Sequence, residues 1–182
     1  MSLKNKHYAF LDVVMDALFS ITLYNLFSNF PGFGDIFYLA IFIFIAIIMV
    51  NYWWSSRSVA DMPRHYMVDI YFYVFVMFIF TKLTDYIKDW HMFIIWLAML
   101  FFADFIYCIG DVLIVKYNKK WGKYLKHYLA WNGALTAYYI IYFITVKELN
   151  AISLIAIILP YAIYLIVYIR KGLFKTVLEY EG

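Results

Sequence analysis

Long apolar runs alternate with short polar breaks along the whole chain. Six of the runs approach the length of about 20 residues that a helix needs to cross the hydrocarbon layer. They cover residues 8–27, 36–54, 66–83, 92–115, 128–146 and 151–169. The third is apolar to Phe80 and extends to Leu83. A Pro31-Gly32-Phe33-Gly34 turn ends the first. Pro160 lies inside the sixth with apolar sequence on both sides, so it is expected to kink that helix rather than end it. The pattern predicts an all-α, polytopic integral membrane protein built as a single transmembrane domain. Phe10-Leu11-Asp12 and Phe102-Ala103-Asp104 open similar stretches at different depths, which leaves a three-plus-three repeat conceivable.

Composition turns this pattern into a statement about solvent. The 182 residues are 66% hydrophobic, 24% aromatic and 15% charged. Ordinary soluble domains are roughly 45–50% apolar and about 25% charged. A soluble fold of this size could not hide so much apolar surface, so a lipid bilayer is the expected surrounding. The first residues, MSLKNKHY, lead straight into an aspartate-bearing helix, so no cleaved leader is expected. The lone cysteine, Cys108, lies in an apolar run and reads as a packed small residue.

The net charge of +3 is modest, and its placement matters more than its size. All 15 Lys and Arg fall outside the apolar cores of the runs. With the N-terminus inside, the cytoplasmic segments hold Lys4, Lys6, Arg57, Arg64, Lys116, Lys119, Lys120, Lys123, Lys126, Arg170, Lys171 and Lys175. The outer segments hold Lys82, Lys88 and Lys147. The positive-inside rule then puts both termini in the cytoplasm. Bases serving topology in this way do not make a nucleic-acid surface. Trp and Tyr gather near the run ends (Tyr52, Trp53, Trp54, Trp90, Trp121, Tyr124, Tyr128, Trp131), as an interfacial belt does.

Polar residues inside the spans are the candidates for function, because a charge in hydrocarbon is costly. Asp12 and Asp16 lie one turn apart in the cytoplasmic half of the first span. Asn51, Asp69, Asp111 and Asn132 lie near cytoplasmic ends of later spans. Asp104 is nearer mid-membrane, about 18 Å along its helix from Lys116 at a rise of 1.5 Å per residue. Two readings stand side by side. In one, these groups form a helix-bracing network of Lys6, Asp12, Asn51, Trp53, Trp54, Arg57, Asp69, Asp111 and Asn132. In the other, Asp16 faces a cation-gathering vestibule or joins Asp104 in a proton relay. Helical spacing then carries an ion path outward from Asp16 through Ala17, Ser20, Ile21 and Tyr24. Ser20 and Tyr24 could offer oxygens, and Ile21 a hydrophobic gate.

Enzymatic chemistry finds no foothold. Cys108-Ile109-Gly110-Asp111 lacks the first glycine of an intramembrane aspartyl protease motif, and Asp104 shares its helix. His7, His65, His91 and His127 sit at span ends rather than where haem would need ligands, and no span core holds a lysine for a Schiff base. No cofactor, metal or enzyme activity is expected.

The first two runs resemble two known families. Lys6-His7-Tyr8-Ala9-Phe10-Leu11-Asp12 resembles the basic-x-x-x-Phe-Ser-Asp signature opening the first helix of the transmembrane protein 175 potassium channel family. Phe10-Leu11-Asp12 and Trp53-Trp54-Ser55-Ser56-Arg57 are also similar to the first two helices of the low-temperature-requirement A family. The likeness covers roughly Lys6 to Arg64. It implies a six-helix unit that assembles as a homo-oligomer around a pore lined by the first helix, with Asp12 bracing that helix. Leu11 and Lys6 depart from the channel signature, Ala17 stands where a bulky aliphatic constriction is usual, and Asp16 has no counterpart. The leading expectation is an oligomeric cation channel, for potassium or protons, in a prokaryotic plasma membrane. The alternatives are a proton-coupled transporter of a small solute and a non-catalytic membrane subunit or scaffold.

Overall fold

A computed structural model describes the backbone of residues 3–58, 66–114 and 119–170, and side chains at residues 10, 12–55, 68–110 and 125–170. Its regular structure is helical throughout: α1 (Leu3–Ser28), α2 (Ile36–Ser58), α3 (Tyr66–Asp85), α4 (Trp90–Ile114), α5 (Lys119–Thr145) and α6 (Ala151–Arg170). The chain is thus all-α, with a helix for each apolar run. Among the described residues, three helices hold a segment long and apolar enough to cross a membrane: Ile36–Ser55, Trp90–Gly110 and Ala151–Arg170. The odd-numbered helices carry the polar load instead. Asp12, Asp16 and Asn25 interrupt α1, Asp69 and Lys82 interrupt α3, and a basic first turn and many tyrosines dilute α5.

Local chemistry fixes the helix ends. Gly32 takes a positive φ of 82° in the turn after α1, where a side chain would be strained. Asp35 Oδ1 accepts from the Phe37 and Tyr38 amides and caps α2, and Asp89 Oδ1 accepts from the Met92 amide to cap α4. Asn150 and Ser153 form a reciprocal box at the start of α6. The Ser153 amide donates to Asn150 Oδ1 at 2.9 Å, and the Asn150 amide donates to Ser153 Oγ at 2.6 Å. Two helices begin well before the predicted spans: α1 at Leu3 and α5 at Lys119. Hydropathy marks only the part of a helix suited to hydrocarbon, whereas backbone hydrogen bonding continues into the basic flanks.

The chain divides into two compact units, Met1–Trp96 and Leu97–Gly182. In the first, α1 packs mainly along α3. Met15, Thr22 and Leu26 supply the buried stripe of α1, spaced as one helix face. Ile41, Ile45, Ile48 and Met49 of α2 and Val76, Ile79, Phe80 and Leu83 of α3 complete the core. Tyr52 closes it at one end, its ring edge-on to Phe80 at 5.6 Å. In the second unit the core is aromatic. Phe101 of α4 stacks on Tyr139 of α5 at 5.6 Å and leans on Tyr161 of α6 at 5.9 Å. Tyr161, Tyr164 and Tyr168 form a buried ladder down α6, with Trp131 of α5 against Tyr164.

The helix α6 runs through Pro160 without a break. Proline lacks the amide that would bond the carbonyl four residues earlier, that of Ala156. In lipid such a carbonyl must find another donor. Three tyrosines of α5 supply hydroxyls along this stretch. Tyr138 donates to the Ala156 carbonyl at 2.8 Å, Tyr139 to that of Ile157 at 2.7 Å and Tyr142 to that of Ser153 at 2.9 Å.

Candidate functional site: a polar centre in each unit

In the first unit, Asp16 occupies the seam between the packed and open faces of α1. Its Oδ1 accepts from the Trp53 indole N–H of α2 at 3.0 Å. Phe19, less than one turn further along α1, stacks on the same indole, with ring centroids 5.4 Å apart and planes at 24°. The tryptophan is thereby held by its edge and its face, and it fixes the rotation of α1 about its axis. The backbone carbonyl of Asp16 accepts from the Ser20 hydroxyl at 2.7 Å. Asp12 is half-buried one turn earlier.

The other residues of the predicted path lie on the open face of α1. Ala17 and Ser20 are exposed, and Ile21 and Tyr24 expose 64% and 77% of their surface. Of the predicted bracing set, Asn51 and Trp53 are half-buried, Trp54 is exposed, and Asp69 is buried in the first turn of α3. It stands at the positive end of the helix dipole, which favours an acidic group. The side chains of Lys6, Arg57 and Asp111 lie outside the described residues, as do those of His7 and His65. His91 lies against Trp90, and His127 meets Trp131 edge-on. Among the described residues, no group of His, Cys, Asp and Glu could hold a metal ion.

The sequence reading missed a second polar clasp at the other end of α1. Asn25 Nδ2 donates to Thr84 Oγ1, to Asp85 Oδ1 at 3.2 Å and to the Thr81 carbonyl at 3.4 Å. Asn29 donates back to the Asn25 carbonyl at 3.0 Å, and Lys82 pairs with Asp85 at 3.2 Å. Thr22, one turn earlier, aims its hydroxyl at the Leu18 carbonyl and the Met77 sulfur. Polar contacts therefore hold α1 both at its middle, through Asp16, and toward its C-terminal end, through Thr22 and Asn25. The available signal was the Asn25/Asn29 pair at i, i+4, matched by Thr81, Thr84 and Asp85 closing α3.

In the second unit, Asp104 and Asn132 are buried, exposing 5% and 2% of their surface. Tyr128 Oη reaches Asp104 Oδ2 at 3.5 Å. This is a long contact, weaker than a hydrogen bond near the usual 2.7 Å for hydroxyl donors. Asn132 follows Tyr128 by one turn on the same face of α5. Its carbonyl accepts from Thr136 at 2.7 Å, while its buried Nδ2 has no hydrogen-bond partner among the described residues. Gly133 allows the close approach of α4 here. A Cβ on it would lie 3.0 Å from the ring of Phe105, the neighbour of Asp104. The Phe105–Gly133 and Asp104–Tyr128 contacts thus both lie between α4 and α5.

No family model, curated protein or solved structure matches this chain.

Proposed function

We propose that the protein spans the membrane six times with both termini in the cytoplasm, and that copies of it assemble into a cation channel lined by α1. The orientation rests on the distribution of bases, twelve on one side against three on the other as named above. The observation that carries the channel reading is the division of α1 into two faces. Met15, Thr22 and Leu26 are buried against the unit's own core, while Ala17, Ser20, Ile21 and Tyr24 stand clear of it. That face carries a hydroxyl, a phenol and a small residue beside Ile21. On a symmetry axis, Ser20 and Tyr24 present oxygens to a passing ion and Ile21 narrows the path.

Asp16 takes a double role in this reading. Its Oδ1 is engaged by Trp53, which sets the rotation of α1, and its charge lies beside the open face and favours cations there. Purified protein in liposomes should dissipate a potassium or proton gradient, and Asp16→Ala should reduce the rate. Gradients left intact by both wild-type and Asp16→Ala protein would overturn the proposal.

A further inference from the structure

The second unit contains a polar centre that conduction along α1 does not use. Asp104 is buried in the middle of α4, in a segment apolar enough to cross a membrane. A buried carboxylate needs a counter-charge or a bound proton. Among the described residues its hydrogen-bond partner is the Tyr128 hydroxyl, a neutral group at 3.5 Å. The described Lys and Arg of this unit, Lys126, Lys147 and Arg170, are exposed. Among the described residues, the interior of the unit otherwise offers phenols from α5 and α6, the Thr136 and Ser153 hydroxyls and the Cys108 thiol of α4. Its imidazole, His127, meets Trp131 edge-on.

Asn132 is the independent observation. Its amide is buried on the face of α5 that carries Tyr128, and the Nδ2 has no hydrogen-bond partner among the described residues. An amide so deeply buried is nearly always satisfied, so one that is not points to a missing ligand or water. Rotation of the amide exchanges its nitrogen and oxygen, so the same side chain can offer Oδ1 to a cation. The Thr136 hydroxyl donates its proton to the Asn132 backbone carbonyl, and its oxygen keeps lone pairs to offer.

We infer that Asp104, Tyr128 and Asn132 form an intramembrane site for one monovalent cation. The carboxylate supplies the charge, and the phenol and amide oxygens supply further ligands. The shared chemistry is a single positive charge neutralising Asp104, carried either by an alkali ion or by a proton. The site is independent of conduction along α1, and neither readout below depends on flux.

Full-length protein in detergent is heated in sodium, potassium or choline chloride at equal ionic strength. In parallel, Asp104 is challenged with dicyclohexylcarbodiimide, which reacts with the protonated acid, and the adduct is located by mass spectrometry. For an alkali ion, sodium or potassium raises the unfolding midpoint by several degrees over choline. It also slows labelling about tenfold when the ion stands at ten times its Kd. For a proton, Asp104 is labelled equally in all three salts. Asp104→Asn removes the cation shift, and Asn132→Leu weakens it while leaving Asp104 in place. The inference is overturned if Asp104 is never labelled and no salt stabilises the protein over choline, or if Asp104→Asn retains the full shift. Should Asp104→Asn fail to fold, the wild-type salt series and labelling decide the matter alone.

Discussion

The Tyr138 hydroxyl donates at 2.8 Å to the Ala156 carbonyl, the group that Pro160 deprives of its helical donor. The two helices are thus matched residue to residue. A defect in the backbone of α6 is answered by a side chain of α5, and Tyr139 and Tyr142 extend the match to either side.

Tyr138→Phe should destabilise the protein by about 1 kcal/mol, the cost of leaving a half-buried acceptor without its donor. Pro160→Ala restores the missing amide, so the same tyrosine change should cost much less in that background. Unfolding free energies of the four proteins in a double-mutant cycle measure the coupling. Additive effects would mean that Tyr138 does not serve the proline defect.

Trp53→Phe keeps an aromatic ring for Phe19 but removes the N–H that Asp16 accepts. The expected loss is about 1.5–3 kcal/mol, the range for a hydrogen bond to a charged acceptor. Asp16→Asn retains an acceptor oxygen and should lose less. Denaturant titrations of both variants test the order.

Gly133→Ala places a Cβ 3.0 Å from the Phe105 ring and should cost about 1–3 kcal/mol through overpacking. Phe105→Leu in the same chain should recover part of that loss, read as the midpoint of thermal unfolding.

Asn25→Ala removes the donor that ties α1 to Thr84 and Asp85 of α3. Interhelical hydrogen bonds of this kind average about 0.6 kcal/mol and reach about 1.7 kcal/mol in a bilayer. A loss in that range is expected, together with faster amide exchange in the loop after Ser28.

Much of the architecture could be read from the chain because hydropathy and helical geometry are local. Each apolar run became a helix, and the turn at Pro31-Gly32 falls where expected. Pro160 was legible as a defect inside a continuing helix. The tyrosine that answers it was not, because the choice of Tyr138 depends on the register of α5 against α6. The same limit hid the partner of Asp16. Both Asp16 and Trp53 stood out individually, but their pairing across 37 residues needs three-dimensional packing. The Asn25–Thr84 clasp escaped because two ordinary polar residues near helix ends carry little signal until they meet. Asp104 was legible as a buried carboxylate, whereas its contact with Tyr128 was not.

The open face of α1 decides the central claim, because lipid and water give opposite results there. Ile21→Cys and Ile155→Cys place a thiol on exposed positions of α1 and α6, 64% and 60% open in the wild-type side chains, while the native Cys108 is buried. A water-soluble methanethiosulfonate reagent is added to proteoliposomes during a cation flux assay. The account predicts that Ile21→Cys is modified and its flux falls at least several-fold, while Ile155→Cys is neither modified nor inhibited. An Ile21→Cys thiol that stays unreacted, or that reacts with no change in flux, would contradict a water-filled path along α1.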